Sequence, residues 1–181
     1  MKIVNVKKQH VKKQIVTSFF CLAVLTASQA QSAIVQFSIN GEITDAYSNP
    51  FGLSTGDLIS ATGVFDDSSI SAAGVSYVDF SLSYNNMVIE VGSVNYTDEL
   101  DLLGGASLYF SDGILDGMDY EAISGSFDSW GYFGQVDYYG VALEDFTGTG
   151  IAGNWILDSY QVTAVPVPAA VWLFASGMLL L

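Results

Sequence analysis

No arginine occurs anywhere in this 181-residue chain, and the five lysines (Lys2, Lys7, Lys8, Lys12, Lys13), the only histidine (His10) and the only cysteine (Cys21) all fall within the first 21 residues. From residue 22 on there are 19 aspartates and glutamates and no cation. Each absence excludes a class of function. Nucleic-acid binding neutralises phosphates with Lys and Arg, and attraction to anionic lipid needs the same cations. A disulfide framework is excluded, because one cysteine has no partner. Without Ser–His pairs, thiolates or Schiff-base lysines, only carboxylate chemistry remains for catalysis.

The cationic residues that do occur are grouped as a targeting segment would group them. Lys2 to Lys13 form a basic region, Ile15 to Ala27 is an apolar run of thirteen, and Ser28-Gln29-Ala30 sets small residues at the two positions a signal peptidase reads. A run of that length is shorter than the roughly 20 residues that cross a bilayer core. Residues 1–30 are therefore expected to be a signal peptide cleaved after Ala30. Cys21 lies inside its apolar stretch, without the small residues just before it that a lipid-attachment site has, and is expected to leave with it. The exported chain then carries a side-chain charge of −19.

Residues 31–164 consist of short apolar alternations broken by Gly, Asn, Asp and Ser, the texture of strands and turns. IVQFSINGEI puts Val35, Phe37 and Ile39 on one face, and Asp57 to Phe65 reads as a second strand ending at the turn-forming DDSS. VDFSLSYNNMVIEV reads as a two-residue hairpin turning at Asn85-Asn86, with Val78, Phe80, Leu82 and Tyr84 alternating before it and Met87, Ile89 and Val91 after it. SVNYT, ASLYF, EAISGSF, YFGQVDYYGVAL and NWILDSYQV supply further strands, and Phe146 to Asn154, FTGTGIAGN, reads as a mobile loop. The expected fold is all-β, an antiparallel β-sandwich of jelly-roll-like form. A transmembrane barrel is disfavoured by short strands, acids concentrated in turns and an aliphatic end.

Few chemical sites suggest themselves. Asp112, Asp116, Asp119 and Glu121 lie within ten residues and are calcium candidates, since hard cations take carboxylate oxygens on turn-rich loops. Their spacing is not that of an EF-hand, and solvated turn residues that keep the domain soluble account for them as well. Asp98, Glu99 and Asp101 are expected to cap a turn. Trp130, Tyr132, Tyr138, Tyr139, Trp155 and Tyr160 could offer a platform for sugar rings, although core packing explains aromatics equally. A glycoside hydrolase would need two carboxyls facing each other across a cleft, and no spacing selects such a pair. The expectation is a non-enzymatic protein with no cofactor, calcium being the one ion considered.

The terminal stretch is more specific. Val165-Pro166-Val167-Pro168-Ala169-Ala170, followed by Val171-Trp172-Leu173-Phe174-Ala175-Ser176-Gly177 and a final Met-Leu-Leu-Leu, resembles the PEP-CTERM sorting signal in its VPxPA form. The prolines hold residues 165–168 extended, and Trp172 suits a membrane interface. The resemblance implies a Gram-negative, biofilm-forming source. It also implies processing by an exosortase, a membrane cysteine protease and transferase, at the Val165 to Ala169 motif. Delivery to the cell surface or the exopolysaccharide matrix would follow, after transient inner-membrane anchoring by a C-terminal hydrophobic helix. Signals of this family continue through a full span to basic residues, whereas 169–181 provides only thirteen, so a signal cut short is expected.

The resulting domain plan is a signal peptide over 1–30, a β-sandwich over 31–164 and a sorting segment over 165–181. Signal peptidase and exosortase are the expected partners, with exopolysaccharide as a third. A carbohydrate- or calcium-binding adhesion module is the alternative function, and a carboxylate-only hydrolase a further one.

Overall fold

A computed structural model describes residues 33–82, 84–102, 104–136 and 138–165, with Ser124 by its backbone alone. The expected signal peptide with its cleavage point at Ala30, and the sorting segment from Pro166 onward, lie outside these residues.

The described chain forms ten strands: β1 (Ile34–Ala46), β2 (Leu58–Asp66), β3 (Val75–Asp79), β4 (Asn86–Val91), β5 (Val94–Thr97), β6 (Ser107–Ser111), β7 (Ile114–Glu121), β8 (Phe127–Ser129), β9 (Phe146–Gly148) and β10 (Ile151–Ala164). They join in one antiparallel sheet of order β3-β6-β7-β8-β9-β10-β1-β2-β4-β5. The fold is all-β, and among the described residues no helix is long and apolar enough to cross a membrane. Two strands are not short, since β1 has 13 residues and β10 has 14. They pair with each other along most of their length and form the spine of the sheet.

The spine follows from alternation. Val35, Phe37, Ile39 and Ile43 on β1 and Ile151 and Trp155 on β10 are buried, and the residues between them face out. Two inward positions are glycines, Gly41 and Gly153; both leave room for the ring of Phe146, and Gly153 also lets the Glu42 carbonyl of β1 approach. A Cβ on Gly41 would stand 2.8 Å from Phe146 Cε1, and one on Gly153 would stand 2.5 Å from its Cζ. Leaving those positions empty lets the ring lie flat against the spine, 5.3 Å from Trp155 between ring centroids.

Aromatic pairs show how the sheet curls. Phe65 of β2 meets Phe110 of β6 at 6.2 Å, and Tyr96 of β5 stacks on Phe127 of β8 at 5.5 Å, although these strands are far apart in the ladder. The two ends of the sheet thus close over a shared core. Among the described residues β3 and β5 remain as edges, and their ladder is not a closed barrel.

Three expectations are corrected. The hairpin at Asn85-Asn86 does not form: β3 pairs with β6, and β4 pairs with β2 and β5. Asn85 is buried and acts as a connector. Its Nδ2 donates to the Asp79 carbonyl at 2.6 Å and its Oδ1 accepts from the Asp66 N–H at 3.1 Å. Leu82 and Tyr84, which the alternation placed in a strand, are exposed. The YFGQVDYYGVAL stretch is not a strand but an irregular segment held by isolated bridges, Gly117 to Tyr132 and Val136 to Ala142. FTGTGIAGN is not a mobile loop; it is the β9–β10 hairpin, turning at Thr149-Gly150.

With no cation among the described residues, carboxylates are met by backbone N–H groups. Asp57, Asp66 and Asp79 accept across their own turns, from Ser54, Ser68 and Ser81. Others reach further. Asp67 takes the Ala33 N–H at 2.8 Å, Asp98 that of Met87 at 3.0 Å, and Asp112 that of Gly74 at 2.7 Å. Asp101 takes those of Gly104 (2.8 Å) and Glu121 (3.0 Å), so of the 98–101 acids expected to cap a turn Asp101 does so, whereas Asp98 reaches β4 instead. Asp145, 9% exposed, accepts from Gly134 at 3.0 Å and Trp155 at 3.3 Å, fixing the irregular segment to the spine.

Asp145→Ala leaves both of those N–H groups without their acceptor, and hydrogen bonds to a charged group are worth about 1.5–3 kcal/mol each. The expected loss is about 3 kcal/mol in urea unfolding, against less than about 0.5 kcal/mol for Asp45→Ala at an exposed position.

Candidate functional site

β7 turns its residues alternately. Leu115, Met118 and Tyr120 enter the core, while Asp119 and Glu121 face outward beside β6 and β8. The alternation slips once, because Tyr109 pairs with Gly117 and Phe110 with Leu115, leaving Asp116 as the extra residue of a bulge. Beside that bulge the chain returns over the sheet. The Phe133 N–H donates to the Asp116 carbonyl at 2.8 Å, and the Met118 N–H to the Gly131 carbonyl at 3.1 Å. Only glycine at 117 permits this, as a Cβ there would stand 2.5 Å from the Gly131 oxygen.

The close approach lays Tyr132 against Tyr109, with ring centroids 5.4 Å apart. Tyr109 sits opposite Tyr77 of β3, so three tyrosines form a strip across the outer face. Carboxylates border it. The Tyr109 hydroxyl donates to Asp119 Oδ2 at 3.3 Å, and Glu121 lies directly opposite Asp128 of β8.

Trp130 follows β8 and is 71% exposed. Its neighbour Ser129 is buried, accepting from Trp155 Nε1 and donating to the Asp145 carbonyl, both at 3.0 Å. Trp130 thus stands on a fixed base. It is shared by two hollows, one of about 380 Å3 lined by Asp119, Tyr120, Glu121 and Asp128, the other lined by Tyr132, Gln135, Leu143, Glu144, Asp145 and Thr147.

Burial pushes the Asp119 carboxyl up from its ordinary range; the Tyr109 hydrogen bond opposes this and the Asp101 charge adds to it. Burial also raises the Asp128 carboxyl, whose Oδ1 is enclosed and accepts no hydrogen bond. The Tyr109 hydroxyl is raised by burial and by the Asp119 charge.

The four calcium candidates do not converge. Asp112 holds Gly74 at the β6–β7 turn, Asp116 sits at the bulge, and Asp119 and Glu121 border the Trp130 hollow. Among the described residues no three potential ligands gather as a metal site. The six aromatics divide. Trp155 belongs to the core and Tyr160 packs on Phe110, whereas Trp130 and Tyr132 line the hollows and Tyr138 and Tyr139 are exposed on the segment beyond them. Sequence reasoning missed Tyr77, Tyr109 and Asp128; the alternation in FDSW, with Asp128 and Trp130 on one face, carried the signal for Asp128.

A larger hollow, about 640 Å3, lies among the crossover loops near Leu82, Asn86 and Glu99. Its Asp98 and Asp101 are already taken by backbone N–H groups, and it presents no comparable aromatic platform. The chain matches no protein-family model, no curated protein and no solved structure.

The raised Asp128 carboxyl has a signed consequence. A group that holds its proton more tightly when folded makes unfolding easier as pH rises through its titration, so ionised Asp128 costs stability at neutral pH. Asp128→Asn should melt higher than the unsubstituted protein at about pH 7, and the two melting curves should converge below about pH 4, where the carboxyl is protonated in both states.

Proposed function

We propose that this protein is an exported, non-enzymatic β-sandwich of jelly-roll-like form, sorted by an exosortase-type system to the cell surface or the exopolysaccharide matrix. The observation that carries this reading is where the last strand of the described residues ends. β10 ends at Ala164, and the residue after it, Val165, opens the motif that resembles a sorting signal. The Val165 N–H donates to the Ile34 carbonyl at 2.9 Å and Val35 pairs with Ala164, so the two ends of the folded unit leave side by side. A signal peptide and a membrane-directed tail attached there would hold the domain from one edge, with its remaining surface free. The absence of Lys, Arg, His and Cys from 22–181 supports a structural role over a catalytic one.

A second reading, a carbohydrate-binding adhesion module, is favoured by the aromatic and carboxylate face around Trp130. The two readings are compatible, since a matrix protein meets polysaccharide.

Mass analysis of the protein produced in an exosortase-bearing Gram-negative host tests the sorting reading. The mature species should begin at Gln31 and end within the 165–169 motif. Replacing Pro166 and Pro168 with Ala should leave the tail attached and the protein in the inner membrane. An intact precursor in the cytoplasm, or unaltered processing of the double variant, would overturn the proposal.

A further inference from the structure

The hollows on either side of Trp130 differ from an ordinary aromatic groove in their charge. Asp119, Glu121 and Asp128 border one, Glu144 borders the other, and no Lys, Arg or His occurs among the described residues to balance them. Ionised carboxylates only accept hydrogen bonds. The fitting ligand is therefore rich in donors, and a polyanion is repelled. Trp130 adds a flat ring face on a rigid base, which stacks on the apolar face of a sugar and attracts a cation held over it. The Asp128 carboxyl lines the same hollow, with its Oδ1 enclosed.

We propose that this face binds a polysaccharide carrying free amino groups, a hexosamine polymer at least partly deacetylated. One ring stacks on Trp130, and its ammonium lies toward the Asp119, Glu121 and Asp128 carboxylates. The next ring along occupies the hollow beside Tyr132, where the Gln135 amide both donates and accepts. Two hollows meeting at one tryptophan suit successive units of a chain better than a single small molecule. The inference rests on the carbohydrate-binding reading and narrows it to cationic sugars.

The test uses the full-length chain in non-ionic detergent, titrated calorimetrically with a β-linked glucosamine hexamer, its fully N-acetylated counterpart and a glucuronate-containing polymer. Binding should follow the order free amine, then N-acetyl, with none to the polyanion. Trp130→Ala should weaken the glucosamine hexamer at least about tenfold and Trp130→Phe should recover part of that loss. Glu121→Gln should weaken it several-fold, while Glu42→Gln, the same charge change on exposed β1, should leave it within about twofold.

Equal weakening by Glu121→Gln and Glu42→Gln, or no effect of Trp130→Ala, would reduce the binding to general charge attraction and overturn the proposal. Tighter binding of the N-acetylated hexamer at Trp130 would keep a sugar site and overturn the cationic ligand. Failure of every sugar to bind would overturn both readings. Trp130 is mostly exposed, so its truncation leaves the core in place, and an unchanged melting curve checks this.

Discussion

The loops of this domain are held by carboxylates that have no cation to pair with among the described residues. Most acidic proteins mix both signs on the surface, so that an aspartate can be held by an arginine or a lysine. Here the donors are mostly backbone N–H groups, joined by a few hydroxyls such as that of Tyr109, and the chain turns its aspartates toward them. Asp67 holds the start of β1 at Ala33, Asp98 holds β4 at Met87, and Asp101 holds β7 at Glu121. The short aspartate side chain keeps close to its own backbone and so suits the task. Asp145 extends the same device inward, its carboxylate accepting from the Gly134 and Trp155 N–H groups, while its backbone carbonyl takes the hydroxyl of Ser129, the residue before Trp130.

Apolar burial supplies what the carboxylates cannot. Phenylalanines and tyrosines from distant strands meet across the curl, and Phe146 fits against the spine because Gly41 and Gly153 leave room for it. The same principle builds the outer face. Gly117 lets the 131–133 segment lie on β7, and that contact brings Tyr132 to Tyr109. Glycine here is a packing residue that admits an aromatic ring or a second backbone.

Much of the strand content was legible, because alternation reports which residues face inward: β1, β2 and the first half of β10, to Trp155, follow it closely. Partners were not legible. A period of two says nothing about which strand lies alongside, so Val78 to Val91 resembled a hairpin while Asn85 in fact joins the ends of β2 and β3. FTGTGIAGN looked mobile because its glycines read as turn formers, whereas one of them makes room for Phe146. The acids of DGILDGMDYE were adjacent in sequence, yet a strand with a bulge distributes them along the sheet instead of gathering them. Of the candidate face, the aromatics could be named in advance but their grouping could not, since it depends on a tertiary contact at Gly117.

The dependence on backbone donors in place of ion pairs has a direct signature in salt. Exposed ion pairs weaken as ionic strength rises, whereas repulsion among like charges is relieved. The deciding measurement is the urea midpoint of the domain of residues 33–165 at about pH 7, taken from about 10 mM to about 500 mM sodium chloride. A fold whose carboxylates are held by N–H groups and otherwise repel one another becomes more stable with each addition. A midpoint that falls as salt is added would contradict the account.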